Sequence, residues 1–225
     1  MTLDIKICGL KTPEAMGAVL ARGATHVGFI HFAKSPRHLE IEPTADLRAF
    51  VGDQAETVVV AVDPDDALVD RFVAQVRPDW LQLHGRETPE RVAAIRARTG
   101  LKVMKALAVS EAADLARIDA YRDVADRILL DSKRPKGSVL PGGNGVSFDW
   151  TLLTGLDPAL SYMLSGGIDA ANVAEAVKIA RPAGIDISSG VESAPGVKDI
   201  ARIHSFFDAL DAIAASAKTR KARAS

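Results

Sequence analysis

Cys8 closes a short apolar run that begins at Leu3, Gly9 follows it, and Lys6 stands two residues earlier on the same strand face. Once ionised, a thiol there accepts a proton, and a nearby ammonium favours the thiolate. Asp131 ends another apolar run, Ile128-Leu129-Leu130, where burial disfavours the bare carboxylate and suits the group to donating a proton. A base and an acid are thus available to one reaction. Arg37, in Lys34-Ser35-Pro36-Arg37, offers a planar fork for a carboxylate, and His84, after Leu81-Gln82-Leu83, can position a substrate. Two small-residue turns, Ser165-Gly166-Gly167 and Ser188-Ser189-Gly190, let backbone N–H groups approach an anion such as phosphate. Neither turn contains Lys or Arg, so oriented amides would hold the anion. Each feature also has a plainer reading: a packed thiol, a turn-capping Asp131 paired with Lys133 or Arg134, tight turns, a solvated arginine.

All these residues stand at the ends of β-like runs. The runs are Leu3 to Cys8, Thr25 to Ile30, Glu56 to Val62, Asp79 to His84, Lys102 to Leu107, Asp126 to Asp131, Ser161 to Ser165 and Gly184 to Ile187. Several are continuously apolar, as strands covered on both faces are. Helix-length segments separate them. Thr12-Pro13-Glu14 and Thr88-Pro89-Glu90 put a capping hydroxyl before proline and an acid in the first turn, and Asp63-Pro64-Asp65 repeats the device. Val173, Ala176, Val177 and Ala180, then Ile203, Phe206, Phe207 and Leu210, form apolar stripes at helical spacing.

Strict alternation of strand and helix implies a parallel α/β sheet with right-handed crossovers. Eight units in this length fit a single-domain (β/α)8 TIM barrel over 1–213, whose C-terminal rim builds the active site. A doubly wound nucleotide-binding sheet would want G-x-G-x-x-G after the first strand, where Cys8-Gly9-Leu10 stands. Residues 214–225, with Lys218, Arg220, Lys221, Arg223 and no acid, read as a frayed, basic polar tail.

Together the strand ends resemble the phosphoribosylanthranilate isomerase family of tryptophan biosynthesis. The resemblance rests on Lys6-Ile7-Cys8-Gly9, Gly28-Phe29-Ile30, Lys34-Ser35-Pro36-Arg37, Leu81-Gln82-Leu83-His84-Gly85, Gly142-Gly143-Asn144-Gly145 with Phe148-Asp149-Trp150, and Asp186-Ile187-Ser188-Ser189-Gly190-Val191-Glu192. It departs from the family pattern at Ala33, often Pro, and at Asn144, often Thr. The resemblance implies a cofactor-independent Amadori rearrangement of N-(5′-phosphoribosyl)anthranilate, with Cys8 as general base and Asp131 as general acid. It further implies that Arg37 holds the substrate carboxylate, that His84 and Asp186 bind substrate, and that Gly166, Gly167, Ser188, Ser189 and Gly190 hold the phosphate. Lys133 to Gly145 suits a lid over the site. A thiol base predicts activity that rises with pH on its acid limb.

Composition narrows the partners. With 28 basic and 29 acidic side chains among 225 residues, net charge is −1, so no overall field attracts nucleic acid or an anionic membrane. The longest apolar runs fall far short of a membrane span, and the N-terminal residues lack a secretory pattern, so a cytoplasmic protein is expected. One cysteine excludes an internal disulfide, and His26, His31, His38 and His204 show no metal-ligand spacing, so no metal is expected. Monomer and homodimer both stay open. Two rivals remain: a histidine-pathway aminoaldose isomerase, which typically uses two aspartates where Cys8 stands, and a non-catalytic phosphosugar-binding module.

Overall fold

Each expected apolar run forms a strand in the computed structural model, which describes residues 3–133, 145 and 147–223, with side chains as far as 215. β1 (Asp4–Cys8), β2 (His26–His31), β3 (Glu56–Ala61) and β4 (Trp80–Leu83) are followed by β5 (Lys102–Val109), β6 (Arg127–Ser132), β7 (Tyr162–Leu164) and β8 (Gly184–Ile187). Neighbours pair in parallel in chain order, and β8 returns to β1 with Asp4 opposite Gly184 and Ile7 opposite Ile187, closing a (β/α)8 barrel.

Several strands read as unbroken apolar runs because both faces are buried in different company. Val58 and Val60 join Cys8, Trp80, Met104, Ala106, Leu129 and Met163 inside the barrel. Val59, between them, faces outward with Ile7, Phe29, Leu81 and Leu83 against the helices. Gly28 matters to the interior: a Cβ there would come within 2.9 Å of Cys8 Sγ and 3.1 Å of Lys6 Nζ.

Helices α1 (Pro13–Ala21), α2 (Ile41–Val51), α3 (Asp66–Arg71), α4 (Pro89–Thr99), α5 (Ile118–Tyr121), α6 (Val173–Ala180) and α7 (Ile200–Arg223) surround the strands. Thr12 and Thr88 cap α1 and α4, accepting from the Ala15 and Arg91 amides. The third expected cap is displaced. Asp65, not Asp63, caps α3 by accepting from the Leu68 amide. Asp63 precedes Pro64, which disfavours helical backbone there; it takes φ 47° and accepts from the Arg86 amide at 2.6 Å.

Trp150–Gly155 is a 3-10 turn between β6 and β7. The expected lid segment falls, apart from Lys133 and Gly145, outside the described residues, as does Asn144. Ala33 sits at the second position of a turn closed by the Ser35 amide on Phe32 O at 2.8 Å, a place proline also suits. Beyond β8 a 3-10 turn (Ser189–Val191) leads to a small antiparallel pair, β9 (Glu192–Ala194) and β10 (Val197–Lys198). The backbone from Ala214 is not frayed: α7 stays helical to Arg223, as the Ala, Lys and Arg content of that stretch favours. Among the described residues no helix is long and apolar enough to cross a membrane.

Candidate active site

A cleft of about 680 Å³, open to solvent, lies at the strand ends and is lined by Cys8, Arg37, His84, Asp131 and Asp186. Four of the five expected phosphate-turn residues line it too: Gly166, Gly167, Ser188 and Ser189. Gly190 does not. It packs behind the turn, where an added Cβ would collide with the Ile168 carbonyl. Gly166 and Gly167 take φ 92° and 63°, a conformation that favours glycine, and Gly166 lies so close to Ser132 that a Cβ would meet its amide at 2.6 Å.

Cys8 is buried and unbridged. The expected thiolate-favouring influence of Lys6 is present but loses. Burial pushes the thiol above its ordinary value, Lys6 pulls it down, and Asp186 pushes it up again. Lys6 is itself fully buried, with Nζ 2.9 Å from Asp186 Oδ1. Burial alone would lower the ammonium, but the Asp186 carboxylate overturns that and raises it, with a further rise whenever Cys8 is ionised. Cys8 is thus a buried thiol beside an ammonium that is itself paired with Asp186.

Asp131 lies at the end of β6 with 2% of its surface exposed. Its Oδ1 accepts from the Ser132 amide at 2.9 Å, and its Oδ2 lies 3.3 Å from His84 Nε2. Of the plainer readings, the ion pair with Lys133 is not formed, since Lys133 Nζ lies 3.5 Å from Asp114, and Arg134 lies outside the described residues. On the other side of the imidazole, Gln82 Nε2 lies 3.4 Å from His84 Nδ1. Gln82 is 1% exposed and lines the cleft, and among the described residues its buried Oε1 has no hydrogen-bond partner.

Arg37 is not a solvated loop charge. Its Nε and Nη2 donate to the two carboxylate oxygens of Glu192 at 2.8 Å each, fixing the guanidinium plane at the cleft wall. Lys198 Nζ also reaches Glu192, at 2.8 Å, and donates to the Ser188 carbonyl at 2.9 Å. A lysine thus stands behind a turn that by its own sequence holds no cation. Ser188 Oγ donates to the Cys8 carbonyl at 3.0 Å, which ties this turn to the end of β1.

Sequence reasoning missed three participants: Gln82, Glu192 as the partner of Arg37, and Lys198. Gln82 and Glu192 stand within quoted motifs, whereas Lys198 reaches the site only through the β9–β10 turn. His31, His38 and Glu40 also converge, with possible ligand atoms within 4.8 Å of one another. That donor set does not fit a metal. The Phe32 amide donates to His38 Nδ1, so the neutral ring carries its proton on Nε2, facing Glu40 at 3.0 Å.

The chain is 60% identical over 212 residues to the N-(5′-phosphoribosyl)anthranilate isomerase of Mesorhizobium japonicum, covering 94% of this chain and 97% of that one. The structure of phosphoribosyl anthranilate isomerase from Thermotoga maritima superposes with TM-score 0.85 at 32% identity, over 94% of this chain and 100% of that one. A phosphoribosyl anthranilate isomerase solved in complex with reduced 1-(o-carboxyphenylamino)-1-deoxyribulose 5-phosphate superposes with TM-score 0.82 at 30% identity, with the same coverage. The family described as N-(5′-phosphoribosyl)anthranilate (PRA) isomerase matches residues 5–209, and this chain belongs to it.

Proposed function

We propose that the protein converts N-(5′-phosphoribosyl)anthranilate to 1-(2-carboxyphenylamino)-1-deoxyribulose 5-phosphate in tryptophan biosynthesis, without a cofactor, using Cys8 as general base and Asp131 as general acid. The observation that carries this reading is the convergence of thiol, carboxyl, arginine fork and glycine turns on one cleft. Asp131 protonates the furanose oxygen as the ring opens to a Schiff base. Cys8, as thiolate, removes the C2′ proton to give an enolamine, which tautomerises to the ketone. Each transfer is worth roughly 10²- to 10⁴-fold.

Arg37, braced by Glu192, takes the anthranilate carboxylate; the Gly166-Gly167 and Ser188-Ser189 amides take the phosphate, with Gly190 shaping the turn. Holding both ends orients the sugar between base and acid. Asp186 and His84 border the sugar between them. The product-like compound bound by the related isomerase has a carboxyphenyl group at one end and a phosphate at the other, which suits such a two-ended site. A cytoplasmic location goes with this reading, because a reducing compartment keeps Cys8 a free thiol.

The test generates phosphoribosylanthranilate in situ and follows its fluorescence decay with wild type, Cys8→Ala and Asp131→Asn, circular dichroism reporting the fold. Turnover by wild type and kcat losses of at least about 10²-fold in both folded variants are expected. Turnover surviving in either variant reassigns that proton transfer. Inactive wild type returns the site to another phosphosugar.

A further inference from the structure

We infer that Lys198 is a positioning residue for the phosphate subsite: from behind the turn it fixes the Ser188 carbonyl, aims the Ser189 amide into the cleft and supplies the positive charge that the turn's own sequence lacks. The inference rests on the reading of these turns as the phosphate site. Ser188 and Ser189 line the cleft, whereas Lys198 does not, its side chain being only 3% exposed. Lys198 Nζ donates to the Ser188 carbonyl at 2.9 Å and lies 3.4 Å from Ser188 Oγ. Among the described residues no peptide bond is cis, so the N–H of the peptide between Ser188 and Ser189 points opposite to its C=O. A carbonyl turned back to the lysine therefore turns the Ser189 N–H forward, toward the side an anion enters.

The lysine is the stronger of the two donors that hold this carbonyl among the described residues. The other, the Val191 amide, stands at 3.4 Å. A charged donor polarises the peptide it bonds and strengthens the N–H at the far end. Burial draws the Lys198 ammonium below its ordinary value, while the Glu192 carboxylate, 2.8 Å away, works to keep it charged. Glu192 thereby serves both ends of the cleft, since its two oxygens also hold the Arg37 fork at 2.8 Å each. Removing Lys198 leaves those two bonds in place. The phosphate end and the carboxylate end of the site therefore respond differently to its loss.

Lys198→Met tests this, with binding at each end read by its own probe: inorganic phosphate by phosphorus NMR for the turns, and anthranilate by its own fluorescence for Arg37. The dissociation constant for phosphate is expected to rise about 10-fold while that for anthranilate moves by less than about 2-fold. If Lys198→Met does not fold, Lys198→Gln, which removes the charge and keeps a polar group beside Glu192, takes its place. Equal weakening at both ends would reduce Lys198 to a prop for the β9–β10 pair and overturn the inference. Unchanged phosphate affinity would overturn it too, because the Ser189 amide would then need no aiming. Wild type that binds anthranilate but no phosphate gives a distinct result: it removes the phosphate reading of the turns themselves, and the role of Lys198 falls with it.

Discussion

At the residue scale, the proposal that Cys8 is the base makes the balance at its thiol set how activity responds to pH. Burial is the largest influence and raises the thiol, so thiolate is scarce at neutral pH and grows as pH rises. Activity on the acid limb should climb with the thiolate fraction and keep climbing above the range of an exposed cysteine. A profile of kcat/KM from pH 6 to 9.5 checks this, and a plateau reached below pH 8 would contradict it. Gly28 guards the same thiol. In Gly28→Ala the new methyl meets Cys8 Sγ at 2.9 Å and Lys6 Nζ at 3.1 Å, so the thiol must move. Overpacking of this kind costs about 1–3 kcal/mol. A misplaced base costs more in rate, so kcat should fall about 10²-fold while the protein stays folded. A Gly28→Ala enzyme that is destabilised yet turns over normally would show that Sγ needs no such room.

At the scale of elements, the β9–β10 turn brings Glu192 and Lys198 under the cleft and locks Arg37. Burial would raise the Glu192 carboxyl, but Arg37 and Lys198 hold it below the usual carboxylate range. A depressed folded value stabilises the protein above the unfolded carboxyl range, and that contribution is lost as pH falls through the folded value. Glu192→Gln leaves two buried cations without their anion, a loss on the order of 3–5 kcal/mol, and frees the guanidinium plane. Urea unfolding should show the lower midpoint, and KM should rise more than kcat falls; an unchanged KM would mean that Arg37 does not need its brace. These elements also mark how far the sequence can be read. The eight strands were legible because several are apolar on both faces, all alternate with helix-length segments, and their polar ends fall on one rim. Thr12 and Thr88 were legible because a cap acts within three residues. Asp63 misled because the same composition serves a proline-constrained turn, and β9 and β10, three and two residues long and largely polar, have no periodicity to detect. Arg37 and Glu192 meet across 155 positions, a distance no local pattern spans.

At the scale of the whole molecule, the seam that closes the barrel and the electrostatics of the proposed base, Cys8, are one contact. β1 and β8 come from opposite ends of the fold, and Lys6 and Asp186, 180 positions apart, face each other in register across their junction. Removing either partner strands a buried charge, so Lys6→Met and Asp186→Asn should each lower stability by about 3–5 kcal/mol in urea. Their effects on the thiol should be opposite. Lys6 lowers the Cys8 value, so Lys6→Met removes the cation and moves the acid limb of activity to higher pH. Asp186 raises it, so Asp186→Asn frees Lys6 for the thiolate and moves the limb to lower pH. Destabilisation of both variants with limb shifts of opposite sign is what a shared contact demands. Shifts of the same sign, or none, would mean that the seam pair closes the barrel without setting the base.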